Sequence, residues 1–110
     1  MFLQSRLFRG NAALEACLVK DSAHLIQGSR GEHVRLVQRA LVYLGEKEIS
    51  GQEYRQGIYG LTTAAAVLRY KQKRKIINFS YQKQADNIVG KMTIQRLDND
   101  VFAIQNLQRF

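Results

Sequence analysis

One seven-residue pattern occurs twice in this chain, and it constrains the fold more than any other feature. Gly57-Ile58-Tyr59-Gly60-Leu61-Thr62-Thr63 and Asn87-Ile88-Val89-Gly90-Lys91-Met92-Thr93 both read G/N-I-[YV]-G-x-x-T, and both run directly into a helix-forming segment. The chemistry predicts a tight turn. Gly57 or Asn87 tolerates positive φ at its first position. Ile58 and Ile88 are expected to anchor the turn in the core, and Gly60 and Gly90 to permit a sharp change of direction. Thr63 and Thr93 fall in the first helical turn, where a hydroxyl can satisfy a free backbone group. Two copies are too few for a stacked solenoid, which needs at least three. The pattern therefore describes two helix starts built the same way.

The helices around them follow from apolar spacing. Asn11 is a good N-cap for a short helix over 12–19, rich in Ala, Leu and Glu, and Lys20-Asp21-Ser22 ends it. Ser29-Arg30-Gly31-Glu32 has the form of a capping box, a Ser followed three residues later by Glu. After it Val34, Val37, Leu41 and Leu44 form one amphipathic stripe that closes on Gly45. Residues 46–58 are polar, contain two glycines and read as a loop. A helix is expected over 62–75 with Ala66, Val67 and Tyr70 facing inward, and a shorter one over 91–97. In the connection over 76–87, Ile76, Ile77, Phe79 and Tyr81 are expected to pack back onto the core. The tail places Val101, Ile104 and Leu107 three residues apart, the spacing of a fourth helix. No stretch has the alternation of a sheet, so the expected class is all-α: a small three-helix bundle with a short N-terminal helix and an extra apolar tail.

Composition narrows the chemistry. At 110 residues the chain is one domain's worth of sequence, and 45% apolar with 24% charged is ordinary for a globular protein. No apolar run approaches the roughly 20 residues of a membrane-spanning helix. The opening MFLQSRLFRGN lacks the apolar stretch and cleavage pattern of a secretory signal, so synthesis in the cytoplasm is expected. The single cysteine, Cys17, excludes an internal disulfide and a zinc ribbon. No metal site and no cofactor are expected. His24 and His33 are the only histidines, and neither lies in an HExxH arrangement or beside paired carboxylates. His33 reads as a surface residue and Cys17 as a buried structural thiol. No catalytic constellation emerges, and the protein is read as not an enzyme. The net charge of +8 is concentrated in Arg69, Lys71, Lys73, Arg74 and Lys75. That run reads as a solvated helix C-terminus meeting its dipole, with an anionic-polymer footprint as the alternative.

Taken together, Gly28-x-x-Gly31-x-x-Val34-x-x-Val37-Gln38-x-x-Leu41-x-x-Leu44-Gly45, then Gly57-Ile58-Tyr59-Gly60-x-x-Thr63-x-x-Ala66-Val67-x-x-Tyr70, then Asp86-Asn87-Ile88-Val89-Gly90-x-x-Thr93-x-x-x-Leu97 resembles the peptidoglycan-binding-like domain. The resemblance covers about residues 26–98, leaving 1–25 as a lead-in and 99–110 as an apolar tail. It implies a compact three-helix bundle whose role is binding. The chain departs from the family's usual residues at Gln56, Leu61, Lys71, Asn87 and Lys91. Cys17 does not match the cysteine switch of the related protease propeptides. LFRGNAALEAC more loosely resembles the lead-in of such domains in contractile injection systems and phage-tail-like machines.

The resemblance implies a free-standing, non-catalytic module that binds peptidoglycan, the bacterial cell wall. Its alternative is a protein-interaction component of a contractile injection or phage-tail-like assembly on the same scaffold. Either role puts the product at the envelope or inside a secreted particle. Wall ligands offer carboxylates, amides and sugar hydroxyls, which suit Arg, Asn, Gln, Lys and a Tyr face. The candidate binding residues are Arg35, Arg55, Gln56, Tyr59, Asn87 and Lys91, with Tyr59 also readable as a packed core ring. Val101, Phe102, Ile104, Leu107 and Phe110 are the candidate partner-docking residues. A third reading rests on Gly28-Ser29-Arg30-Gly31, which resembles the GXXG loop of KH nucleic-acid-binding domains. That fold needs three strands, which the sequence does not supply, so nucleic acid is not the expected partner.

Overall fold

The computed structural model describes residues 2–76 and 86–107, and over these the chain is mostly helical. Helices α1 (Ala12–Cys17), α2 (Glu32–Tyr43), α3 (Gly51–Gln56), α4 (Leu61–Arg74) and α5 (Lys91–Leu107) follow in order, with a single 3-10 turn at Asp21–Ala23. No helix among the described residues is long and apolar enough to cross a membrane.

The core is centred on α2. Its stripe of Val34, Val37, Ala40 and Leu41 is fully buried against Ala66 and Val67 of α4 and Ile94, Leu97 and Val101 of α5. Asn11 caps α1 as expected, its side chain accepting from the Leu14 N–H at 3.1 Å. The chain ahead of α1 belongs to the same core, because Leu3 and Phe8 are buried with Leu14 and Cys17. It is tied down by Asp98 of α5, a buried carboxylate that accepts from the Gln4 and Ser5 N–H groups at 2.8 Å each. Cys17 is buried as expected, donates to the Ala23 carbonyl, and has its thiol pKa pushed up by burial to about 11.

Several local expectations are corrected. Ser29 does not cap α2. Gly31 holds that position at φ 134, and the Ser29 hydroxyl instead accepts from the Ile26 N–H at 3.0 Å, closing a turn of its own. The polar stretch read as a loop contains α3, whose N-cap Ser50 accepts from the Gln52 and Glu53 N–H groups. The expected short helix over 91–97 and the tail are one helix of 17 residues. Asp98 and Asp100, where the two join, both have partners. Asp98 is held by the N-terminal segment, and Asp100 accepts from the Tyr70 hydroxyl at 2.6 Å. Three successive apolar stripe residues, Ile94, Leu97 and Val101, therefore stay on the buried face.

The basic run is more engaged than a solvated helix end. Arg69 and Lys73 both pair with buried Glu46, Arg74 pairs with Asp100, and Lys71 is only 5% exposed with its ammonium on Asp86. Burial pushes the Glu46 carboxyl up, but its two cationic partners outweigh that and hold it below the usual range. Lys75 ends α4 in the left-handed conformation at φ 55. Ile76 packs into the core as expected, whereas Ile77, Phe79 and Tyr81 lie outside the described residues.

Candidate ligand-binding site

The segment over 25–31 runs between the two repeated turns and pairs with both. On one side the Gly31 N–H donates to the Gly57 carbonyl, the Tyr59 N–H to the Ser29 carbonyl, and the Gly28 N–H to the Tyr59 carbonyl, at 2.8–2.9 Å. On the other side Leu25 and Val89 exchange both backbone hydrogen bonds at 2.9 and 3.0 Å. These pairings produce isolated bridges and, among the described residues, no strand. Because the segment is held on both edges, it sets the separation of the two turns.

Within each turn the buried side chain is the third residue, not the second. Tyr59 and Val89 are fully buried, while Ile58 and Ile88 are half-buried, which corrects the expectation that the isoleucines anchor the turns. The cause is the bridge geometry, since alternate residues of an extended segment point to opposite faces. Gly57 takes a positive φ of 64, as expected, and with it forms the left-handed C-cap of α3. Asn87 does not adopt positive φ, so the second turn closes differently. There the Asp86 carboxylate accepts from the Ile88 N–H at 3.1 Å and from Lys71, whose ammonium also donates to the Ile88 carbonyl at 2.9 Å.

The first turn is completed by a residue that the sequence reading passed over. Glu53 of α3 accepts from the Gly60, Thr62 and Thr63 N–H groups at 3.2, 3.0 and 2.9 Å, and from the Thr63 hydroxyl at 2.8 Å. The unpaired N–H groups at the start of α4 are thus filled by a carboxylate of the chain. Burial raises the Glu53 pKa, but the donors from Thr62 and Thr63 outweigh it, and the carboxyl lies below its ordinary value. The Thr63 hydroxyl does not serve a backbone group as expected. It donates to Glu53 and accepts from the Gln38 amide at 2.9 Å.

Among the described residues the second turn has no carboxylate in the place of Glu53. Among the described residues no side chain accepts from the N–H groups of Met92 and Thr93, at the start of α5. A cavity of about 330 Å³ opens there instead, lined by His24, Lys71, Asp86, Lys91 and Thr93 among others. The His24 Nε2 is buried without a hydrogen-bond partner among the described residues, its nearest acid being Asp21 at 3.6 Å.

The expected binding residues divide accordingly. Lys91 is exposed on the rim of that cavity, and Asn87 is exposed in the adjoining turn. Arg55 and Gln56 are exposed on the last turn of α3. Arg35 is already engaged. Its Nε donates to the Tyr54 carbonyl at 2.9 Å, its guanidinium reaches the Arg55 carbonyl and Glu32, and it sits 5.9 Å from the Tyr54 ring. It therefore closes the C-terminus of α3. Tyr59 follows its core reading: the ring is buried and the hydroxyl donates to the Asn87 carbonyl, tying one turn to the other. Burial, with the Asp86 charge, pushes its phenol far up, so it stays neutral.

The docking candidates divide too. Val101 is a core residue, Phe102 and Ile104 are half-buried, and Leu107 is 71% exposed. Phe110 lies outside the described residues. Among the described residues no three of His, Cys, Asp and Glu gather closely enough to hold a metal ion.

One signal would have exposed Glu53. Ser50-Gly51-Gln52-Glu53 repeats the capping-box spacing, although its acid turns outward to the next helix and not back on its own. Comparison with protein-family models, curated proteins and solved structures finds no match.

Proposed function

We propose that this protein is a non-catalytic module for peptidoglycan, built on the small bundle that its sequence resembles, and that it holds its ligand at the second turn. One observation carries the reading. The same turn occurs twice, once with a carboxylate of the chain on the N–H groups that follow it, and once with those groups opening on a cavity. Lys91 adds a cation at that place, and the His24 ring forms part of its wall. Wall peptides supply carboxylates and amides, which such groups recognise. Asn87, exposed in the adjoining turn, offers an amide to the same ligand, whereas Arg55 and Gln56 lie beside the first turn, on the last turn of α3.

The tail supports a free module. Val101 in the core and half-buried Ile104 fold it back on its own bundle, and the Gln105 side chain accepts from the Arg6 N–H at 2.9 Å. The second reading, an interaction component of a contractile injection or phage-tail-like assembly, draws on a different surface. Phe2 (82% exposed), Val19 (74%) and Leu107 (71%) present large apolar side chains to solvent. The KH-like reading gains no support, because it needs strands.

Sedimentation with purified sacculi tests the choice. The intact protein is expected to pellet with the wall without clearing its turbidity, and Lys91→Glu to weaken that binding about tenfold. A protein that stays in the supernatant, yet co-purifies with a large complex until Phe2 and Leu107 are changed to serine, would establish the second reading.

A further inference from the structure

The first three carbonyls of each repeated turn accept hydrogen bonds from groups outside it. In the first turn those of Gly57, Ile58 and Tyr59 accept from the Gly31 N–H, the Gln38 side-chain amide and the Gly28 N–H, at 2.8–3.0 Å. In the second turn those of Ile88 and Val89 accept from the Lys71 ammonium at 2.9 Å and the Leu25 N–H at 3.0 Å. The remaining carbonyl, that of Asn87, accepts from the Tyr59 hydroxyl.

Two successive peptide groups of the second turn are therefore pinned at both ends. A peptide group is rigid and planar, so a bond to its carbonyl and a bond to its N–H fix one body. The Asn87–Ile88 group is held by Tyr59 at its carbonyl and by the Asp86 carboxylate at its N–H, 3.1 Å away. The Ile88–Val89 group is held by Lys71 at its carbonyl and by the Leu25 carbonyl at its N–H, 2.9 Å away. Neither group can rotate without breaking a hydrogen bond. The third position of the repeat gives this support a direction. Tyr59 occupies it in the first turn and reaches the second, whereas Val89 occupies it in the second and has no side-chain donor to return.

We infer that Tyr59 is a positioning residue for ligand binding at the second turn, an inference that rests on the proposed reading of that turn as the peptidoglycan site. Tyr59 does not meet the ligand itself, for its ring is fully buried and lines no part of the cavity. Its hydroxyl sets the Asn87–Ile88 peptide, and through it the direction of the Asn87 side chain and of the chain entering α5. A site held in its bound shape binds more tightly because less ordering remains to be done on binding. The turn closed by Glu53 thus serves as the fixed base from which the second is held.

Tyr59→Phe keeps the buried ring and removes only the hydroxyl. Its control is Tyr70→Phe, which removes a buried hydroxyl bond between α4 and α5. Amide exchange reads the position of the turn with no ligand present. In Tyr59→Phe the Ile88 and Val89 N–H groups should exchange about tenfold faster than in the wild type, while those of Gly28 and Gly31 stay within twofold. Sedimentation with purified sacculi reads the consequence. Tyr59→Phe should bind about three- to tenfold more weakly, and Tyr70→Phe within twofold of the wild type. Unchanged exchange at Ile88 and Val89, or equal binding of wild type and Tyr59→Phe, would overturn the positioning role and leave the peptidoglycan reading standing. A wild type that stays in the supernatant would overturn that reading and the inference with it. Equal losses in the two variants, faster exchange throughout Tyr59→Phe, or its failure to fold would make the hydroxyl a purely structural bond, and would overturn the inference as well.

Discussion

The starts of α4 and α5 share a sequence pattern and a bridge to the same central segment, yet they differ in what faces their free N–H groups. At α4 that position is filled by Glu53, itself set by the capped helix α3 and by the close approach allowed at Gly60. At α5 it opens into a cavity beside Lys91 and His24. The repeated pattern specifies backbone shape, because shape depends on glycine and on the alternation of buried and half-buried residues. It does not specify charge, which arrives from a different element in each case. The first turn is closed by a carboxylate of the chain, whereas beside the second the His24 ring lies against Gly90 and, among the described residues, no carboxylate accepts from the N–H groups that follow.

The sharpest test of this contrast is steric. A Cβ at Gly60 would lie 2.6 Å from the Glu53 carboxyl carbon, closer than any real contact, whereas one at Gly90 would lie 3.0 Å from the His24 ring. Gly60→Val should therefore expel Glu53 and orphan three N–H donors, costing about 3 kcal/mol or more. For a domain of this size that is a large part of a total of roughly 5–15 kcal/mol. Gly90→Val should cost about 1–2 kcal/mol, since the His24 ring can yield. Gly51→Val meets only an exposed Arg55 side chain and should stay within about 0.5 kcal/mol. Urea melts rank the three. Equal losses at Gly60 and Gly90 would erase the distinction between the joints.

Removing the acid is the next largest effect. Glu53→Ala should destabilise by about 2 kcal/mol, through loss of one carboxylate serving several donors. Lys91→Glu should leave the midpoint of thermal unfolding nearly unchanged, because its side chain is exposed on the cavity rim. A fall at Lys91→Glu as large as at Glu53→Ala would mean that the second turn is also a structural joint.

Much of this architecture could be read from residue spacing, and its failures share a cause. The stripe of α2, the Asn11 cap, the inner face of α4 and the burial of Cys17 and Tyr59 depend on local pattern, and the structure has them where the sequence placed them. The errors arose where a polar residue takes its partner from far along the chain. Ser29 and Ser50 both precede a Glu by three positions, but only Ser50 caps a helix, because Gly31 turns the chain before the first pattern can form. Asp98 and Asp100, just beyond the helix expected over 91–97, have their partners, the N–H groups of Gln4 and Ser5 and the hydroxyl of Tyr70, dozens of residues away. The same holds at the site. Lys91 and Asn87 are exposed as candidates should be, whereas Arg35 is engaged by α3, a helix the polar sequence concealed.

A last substitution addresses the charge of Glu53. Glu53→Gln keeps the size but replaces one of the two accepting oxygens with an NH2 that faces an N–H donor, so at neutral pH it should cost about 1–2 kcal/mol, made up of the negative charge at the helix start and one lost acceptor. The first of these has a defined pH dependence. The folded-state pKa of Glu53 lies below its ordinary value of 4.5. Its contribution is therefore full above pH 4.5 and is lost as pH falls through the lower folded value. Glu46, also lowered, loses stability over the same acid range, but it does so equally in both proteins and cancels in their difference. Urea melts of the wild type and Glu53→Gln should thus be separated at pH 7 and draw closer in acid. A gap that persists unchanged as pH falls well below 4.5 would show that the N–H groups of Thr62 and Thr63 do not hold an ionised carboxylate, and the contrast between the two turns would lose its electrostatic basis.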